Sequence, residues 1–162
     1  VWVTDVPTLD DAYHMITDIG QLTNRLPDST ELINEIKNRF DSLNLPTELT
    51  PVAYLIWKDP WMTVGGDTFI NDLLLRAGFK NVFAPQRRYP EVSIAEIRES
   101  NCPILFLSSE PYPFKEKHIA ELQAALPQVK IQIVDGELFS WYGSRLLYAP
   151  AYFKKLQDQL FS

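Results

Sequence analysis

Cysteine occurs once in this 162-residue chain, at Cys102. A single thiol excludes an internal disulfide framework and any zinc site built on several thiolates. Histidine is almost as scarce, at His14 and His118 only, so the multi-histidine sets that coordinate zinc or manganese are missing. Asp10, His14 and Asp18 share a helical spacing but read as a solvated stripe, and His118, between Glu116 and Glu121, reads as helix surface. Basic residues are in deficit: 15 Lys and Arg against 21 Asp and Glu give a formal charge of −6, which argues against nucleic acid and anionic membranes as partners. No apolar run approaches the roughly 20 residues of a spanning helix. No signal-peptide or lipid-attachment motif is read, and the chain opens on Val1 with no Met. The six glycines form neither a G-x-G-x-x-G loop nor a Walker loop. Gly65–Gly66 ahead of a helix suits an anion, but Asp67 beside the pair repels one. Ser144 in YGSR is not a nucleophile elbow, Cys102 before Pro103 reads as an inert thiol, and Asp135 and Glu137 have no partner base nearby in sequence. No constellation demands an enzyme, and no catalytic residue is assigned.

What is present is apolar: 46% of residues, enough for a packed core in one folding unit. The chain is organised around PVAYLIWKDPWMTVGGDTFINDLLLRAG, residues 51–78. Val52–Trp57 is a continuous apolar run, the pattern of a strand buried on both faces. Pro60 ends it, and a loop runs to Gly66. Phe69, Ile70, Leu73, Leu74 and Ala77 have helical spacing, and Gly78 fits the position just past a helix end. Upstream, Val1–Thr4 reads as the end of a strand. Thr8 and Asp11 resemble a capping box for a helix with Ala12, Met15, Ile16 and Ile19 on one face, closed by Gly20. A second helix starts near Asp28 and ends before Pro46, and Asn44–Thr50 is a linker. Downstream come a short strand near Val82 and Phe83, an S-x-x-E box at Ser93 and Glu96 opening a helix over 94–100, and a buried strand from Ile104. A helix near 115–125, a third buried strand over Lys130–Val134, the loop DGELFSWYGSR and a C-terminal helix that Pro150 should kink complete the chain. The alternation implies an α/β fold: a three-layer Rossmann-like lobe with a mostly parallel four-stranded sheet, preceded by a helical connecting segment.

The three clear strands each run into a loop of unusual composition: Trp57–Gly66, Ser108–Phe114 and Asp135–Arg145. With Arg87, Arg88 and Tyr89 these loops hold Trp57, Trp61, Met62, Tyr89, Tyr112, Phe114, Trp141 and Tyr142. Neighbouring parallel strands point their carboxyl ends the same way, and ligands of open α/β sheets bind there. Aromatic faces with a few polar groups, here Glu110 and Arg145, suit a large ring-bearing ligand.

The stretches YLIWKDPWMTVGGDTFINDLLLRAGFKNVF, RYPEVS, LFLSSEPYPF and DGELFSWYGSR resemble the carboxyl lobe of substrate-binding proteins that serve ABC importers, in the cobalamin and iron–siderophore class with a rigid helical backbone between two lobes. Residues 1–40 resemble the end of that family's amino lobe plus its connecting helix. The match keeps the family's order over essentially the whole chain. It implies that residues 1–46 are the end of the amino lobe and the helical backbone segment, and 47–162 the substrate-binding lobe. It also implies a complete amino lobe ahead of Val1, with the ligand held between lobes. The expected function is non-catalytic solute binding: no intrinsic cofactor, cobalamin or a ferric siderophore as ligand, and ABC permease subunits as partners. Location would be periplasmic or otherwise extracytoplasmic, with a lipid anchor among the family's options. On the family pattern Trp57–Met62, Tyr89 and Trp141–Arg145 face the cleft, with Glu110 and Tyr112 in another rim loop. The family's permease-docking glutamate falls at Ala95, which leaves Glu96 or Glu91 for that contact. The alternative from another class is an isolated α/β interaction module that self-associates or pairs with another chain through the exposed cleft surface.

Overall fold

A computed structural model describes residues 4–44 and 46–161. The strand read at Val1–Thr4 lies mostly outside them. Helix α1 spans Leu9–Leu22, and both arms of the Thr8–Asp11 capping box are formed. Gly20 does not close it. A Cβ there would lie 2.1 Å from the Ser29 hydroxyl oxygen, so Gly20 lets α1 approach helix α2, Leu26–Asp41. That second helix begins two residues before Asp28, with Pro27 in its first turn, where a missing N–H costs nothing.

Among the described residues the sheet has five strands rather than four: β1 (Thr50–Trp57), β2 (Met62–Thr63), β3 (Phe79–Asn81), β4 (Ile104–Ser108) and β5 (Lys130–Val134). β3, β1, β4 and β5 lie side by side and run parallel. The fifth strand, β2, folds back antiparallel on the carboxyl half of β1, pairing Leu55 with Thr63 and Trp57 with Met62. The segment after Pro60 is therefore a hairpin arm rather than a loop. β3 sits about two residues earlier than Val82–Phe83. The Val82 N–H still donates to the Val52 carbonyl, but the chain then turns.

Alternation along β1 and β4 builds the two faces. Val52, Tyr54, Ile56, Ile104 and Phe106 meet α1, α2, helix α3 (Phe69–Arg76) and the C-terminal helices. Ala53, Leu55, Leu105 and Leu107 meet helices α4 (Ile94–Glu99) and α5 (Glu116–Ala125). The first two helices share their core cluster with the sheet. α3 starts on a Thr68 cap and ends before Gly78, whose φ of +87° a side chain would resist. The Ser93–Glu96 box forms in full.

Three expectations near the C-terminus are corrected. β5 is an edge strand, only half-buried through Ile133. The stretch after it is not a loop: Asp135 caps a short helix α6, Gly136–Ser140, and a 3₁₀ turn follows at Ser144–Leu147. Helix α7 spans Ala149–Phe161, so Pro150 falls in its first turn and interrupts nothing. No described helix is long and apolar enough to cross a membrane.

Candidate functional site

From β1 the chain crosses to β3 on one side and later to β4 on the other, so the strand order reverses between β1 and β4. Outside the carboxyl ends of that pair lies the usual crevice of an open α/β sheet. Three segments meet there: the β1–β2 hairpin, the 109–115 loop after β4, and the 135–145 segment after β5.

The 109–115 loop is the middle of the three. Tyr112 packs edge-on against Trp57, with ring centroids 5.5 Å apart. Glu110 accepts from the Trp141 indole N–H at 2.6 Å and from the Ser140 hydroxyl at 3.3 Å. A buried chain anchors this loop from below: the Tyr54 hydroxyl donates to Ser108 Oγ (3.1 Å), which donates to the Glu110 carbonyl (2.5 Å). Burial drives the Tyr54 phenol well above its ordinary pKa, so it stays a donor. The Tyr152 hydroxyl accepts the Asp135 N–H at 2.9 Å and fixes the start of the third segment. Trp57 remains 40% exposed and Trp141 53% exposed.

The expected site residues do not all serve one surface. Trp61 stacks parallel on the buried Phe114, at 6.2 Å and 5°, with the Lys58 ammonium 5.0 Å from its ring centroid. It is half-buried packing beneath the rim. Met62 is half-buried against the other core. Tyr142 turns away from Trp141 to meet Phe69 edge-on (5.4 Å), and lines an apolar groove of about 420 Å³ with Met15, Ile16, Ile19 and Leu32. Tyr89 is 48% exposed on the 84–91 loop. Arg145 is already ion-paired with Glu137, and the two line an open pocket of about 450 Å³ with Ser109, Glu110 and Asp135. Glu137 is thus the partner that sequence reading did not find. Glu96 is held below the usual carboxylate range by the backbone N–H and hydroxyl of Ser93, both at 2.7 Å. Glu91 is exposed.

Gly65 and Gly66 are not an anion cradle. The Gly65 N–H donates to the Arg88 carbonyl (2.7 Å), and that of Gly66 to the Ala84 and Gln86 carbonyls (3.1 and 3.0 Å). The pair clamps the 84–91 loop onto the hairpin. Beneath it, buried Asn81 donates to the Val64 carbonyl (2.8 Å) and to Asn71 Oδ1 (3.2 Å), and accepts the Phe83 N–H (3.0 Å). Sequence reading missed this network; an Asn at the end of an apolar strand segment was its only signal. His118 is not helix surface: only 4% of it is exposed, under Tyr112 and Phe114. Among the described residues no group of three or more His, Cys, Asp or Glu is placed to hold a metal ion.

No protein-family model matches the chain, and no curated protein matches it. Solved structures do. A periplasmic solute-binding protein from Staphylococcus epidermidis, described as possibly iron-binding, is 25% identical, with a TM-score of 0.79 over 100% of this chain and 66% of its own. The periplasmic haem-binding protein HutB of Vibrio cholerae is 17% identical, with a TM-score of 0.77 over 99% of this chain and 66% of its own. The periplasmic vitamin B12-binding protein BtuF of Vibrio cholerae is 16% identical, with a TM-score of 0.67 over 98% of this chain and 66% of its own. The chain therefore has the fold of one part of such solute-binding proteins and spans about two thirds of their length. These neighbours are binding proteins rather than enzymes.

Proposed function

We propose that the chain is the carboxyl-terminal substrate-binding part of an extracytoplasmic solute-binding protein for an ABC importer. Residues 1–46 bring the end of the amino lobe and the backbone segment, and 47–162 form the lobe. The observation that carries this reading is the Trp57–Tyr112 and Glu110–Trp141 contacts, which join three strand-end segments into one rim at the point where strand order reverses. Exposed indole faces fit a broad, ring-bearing metal chelate, a corrinoid or a ferric siderophore, and the neighbours' haem and vitamin B12 ligands support that class. The protein contributes shape, stacking and polar orientation, and no chemical step follows.

Trp57, Trp141 and Tyr89 are the aromatic contacts. Glu110 orients Trp141. Arg145 meets a polar group of the ligand while held by Glu137, and Tyr142 contributes from the side of the α1 groove. The partner is an ABC permease. With Glu96 committed to its helix cap, Glu91 is the better-placed docking carboxylate. A lipid anchor would hold the protein at the membrane.

The test is thermal shift with calorimetry, using cobalamin, cobinamide, haem and ferric siderophores. A ligand at 100 times its dissociation constant stabilises the fold by about 2.7 kcal/mol. Trp57→Ala and Trp141→Ala are each expected to weaken binding about tenfold or more, since an aromatic stack contributes on the order of 1 kcal/mol beyond its buried area. Wild-type affinity in both variants would remove the rim from the binding site.

A further inference from the structure

Beneath the exposed rim, the two arms of the site rest on one histidine. His118 is the third residue of α5 and is almost wholly buried. Its Nδ1 lies 2.9 Å from the Lys115 backbone nitrogen. A backbone N–H can only donate, so Nδ1 is unprotonated and the imidazole is neutral, with its proton on Nε2. Nε2 lies 3.4 Å from the Tyr112 hydroxyl. Two rings pack edge-on against it from one side, Tyr112 at 5.4 Å and Phe114 at 5.6 Å, with their own centroids 4.7 Å apart. Tyr112 in turn meets Trp57, and Phe114 meets Trp61. The imidazole therefore caps α5, supports the 109–115 loop and, through that loop, backs the hairpin.

We propose that His118 is an acid-sensitive latch: in its neutral form it positions Tyr112 and the 109–115 loop against the hairpin, and its protonation releases them. A proton on Nδ1 would face the Lys115 N–H, so the cap is lost and a charge is left under aromatic rings. No mere weakening of the bond is available, because that nitrogen cannot hold its proton and accept from Lys115 together. The charged neighbours are Lys58 on the hairpin and Lys115, Lys117 and Glu121 on α5 and its cap. Glu121 is already ion-paired with Lys58, so the one carboxylate favouring the imidazolium is shared. Burial first, then these lysines, lower the His118 pKa below its ordinary 6.5. A lowered folded-state value means the unfolded chain binds the extra proton first. The latch thus stabilises fully above about pH 6.5 and is lost as pH falls through the lower, folded-state value.

The device concerns the conformation of the rim and stands whatever the rim binds, so its test uses no ligand. Tryptophan emission is followed from pH 8 downward, alongside far-ultraviolet circular dichroism, with the histidine titrations read by NMR. Wild type is expected to give a one-proton emission change with a midpoint below 6.5 while helicity is retained. His118→Gln keeps an acceptor suited to the third helical position but cannot titrate; its emission should stay flat over that range. His14→Gln, on the exposed face of α1, should keep the wild-type transition. An unchanged transition in His118→Gln, or a His118 titration at or above 6.5 in the folded protein, would overturn the proposal.

Discussion

Phe106→Ala is expected to lower folding stability by about 3–5 kcal/mol. Phe106 lies at the centre of β4, fully buried, with Phe79 at 5.0 Å, Phe139 at 6.4 Å and Tyr54 at 6.5 Å. These rings come from β3, α6 and β1, so no single element can shift to fill the space. The loss combines the transfer free energy of the ring with the cavity left behind. A domain of this kind has about 5–15 kcal/mol in total, so urea midpoints should fall by more than 1 M at the usual slope of about 1–3 kcal/mol per molar. A loss below about 1 kcal/mol would mean that the layer collapses around the gap, contrary to the packing described.

Gly65→Ala is expected to destabilise the fold although it adds a single methyl group. The new carbon would sit 2.5 Å from the Gln86 carbonyl oxygen and 2.7 Å from both the Cα and carbonyl carbon of Arg87. All three are backbone atoms, so no side chain can swing aside. The 84–91 loop must move, stretching the Gly65–Arg88 and Gly66–Ala84 hydrogen bonds. Overpacking of this kind costs about 1–3 kcal/mol. The expected signature is a lower melting temperature together with faster amide exchange at Gly65 and Gly66. An unchanged melting temperature with protected amides would show that the clamp is looser than its contacts imply.

Much of this architecture was legible because local and long-range preferences agree. Val52–Trp57 and Ile104–Leu107 are continuous apolar runs, too short for a buried helix and bounded by turn or polar residues, which suits a central strand. Thr8 with Asp11 and Ser93 with Glu96 place helix starts to the residue, since their side chains complete backbone bonds that the helix leaves open. What was hidden depends on contacts between distant segments. Gly20 reads as a helix stop, but its missing side chain makes room for Ser29 on another helix. β2 is two residues long and becomes a strand only because β1 offers an unpaired edge. Pro150 reads as a breaker until the helix start is known. His118 looks like surface between charged residues, yet Tyr112 and Phe114 fold over it from the preceding loop. At the site, composition located the three strand-end segments. It did not locate the pairing of Arg145 with Glu137 or the divergence of Trp141 and Tyr142, which are set by α6 and the 3₁₀ turn after it.

The placement of β2 and β3 on one flank of β1 has a further consequence, for colloidal behaviour. Together they occupy both halves of that flank, so β1 presents no long open ladder there. The opposite flank ends on β5, whose outer side pairs with no strand among the described residues. Its one charge, Lys130, is turned onto the Leu160 carbonyl at the end of α7, which leaves Ile131, Gln132 and Ile133 with little to deter a second chain. Natural edges are usually guarded by charge. Gln132→Lys should therefore slow aggregation on heating, measured by light scattering, with little change in melting temperature. Aggregation at the wild-type rate would place the sticky surface elsewhere.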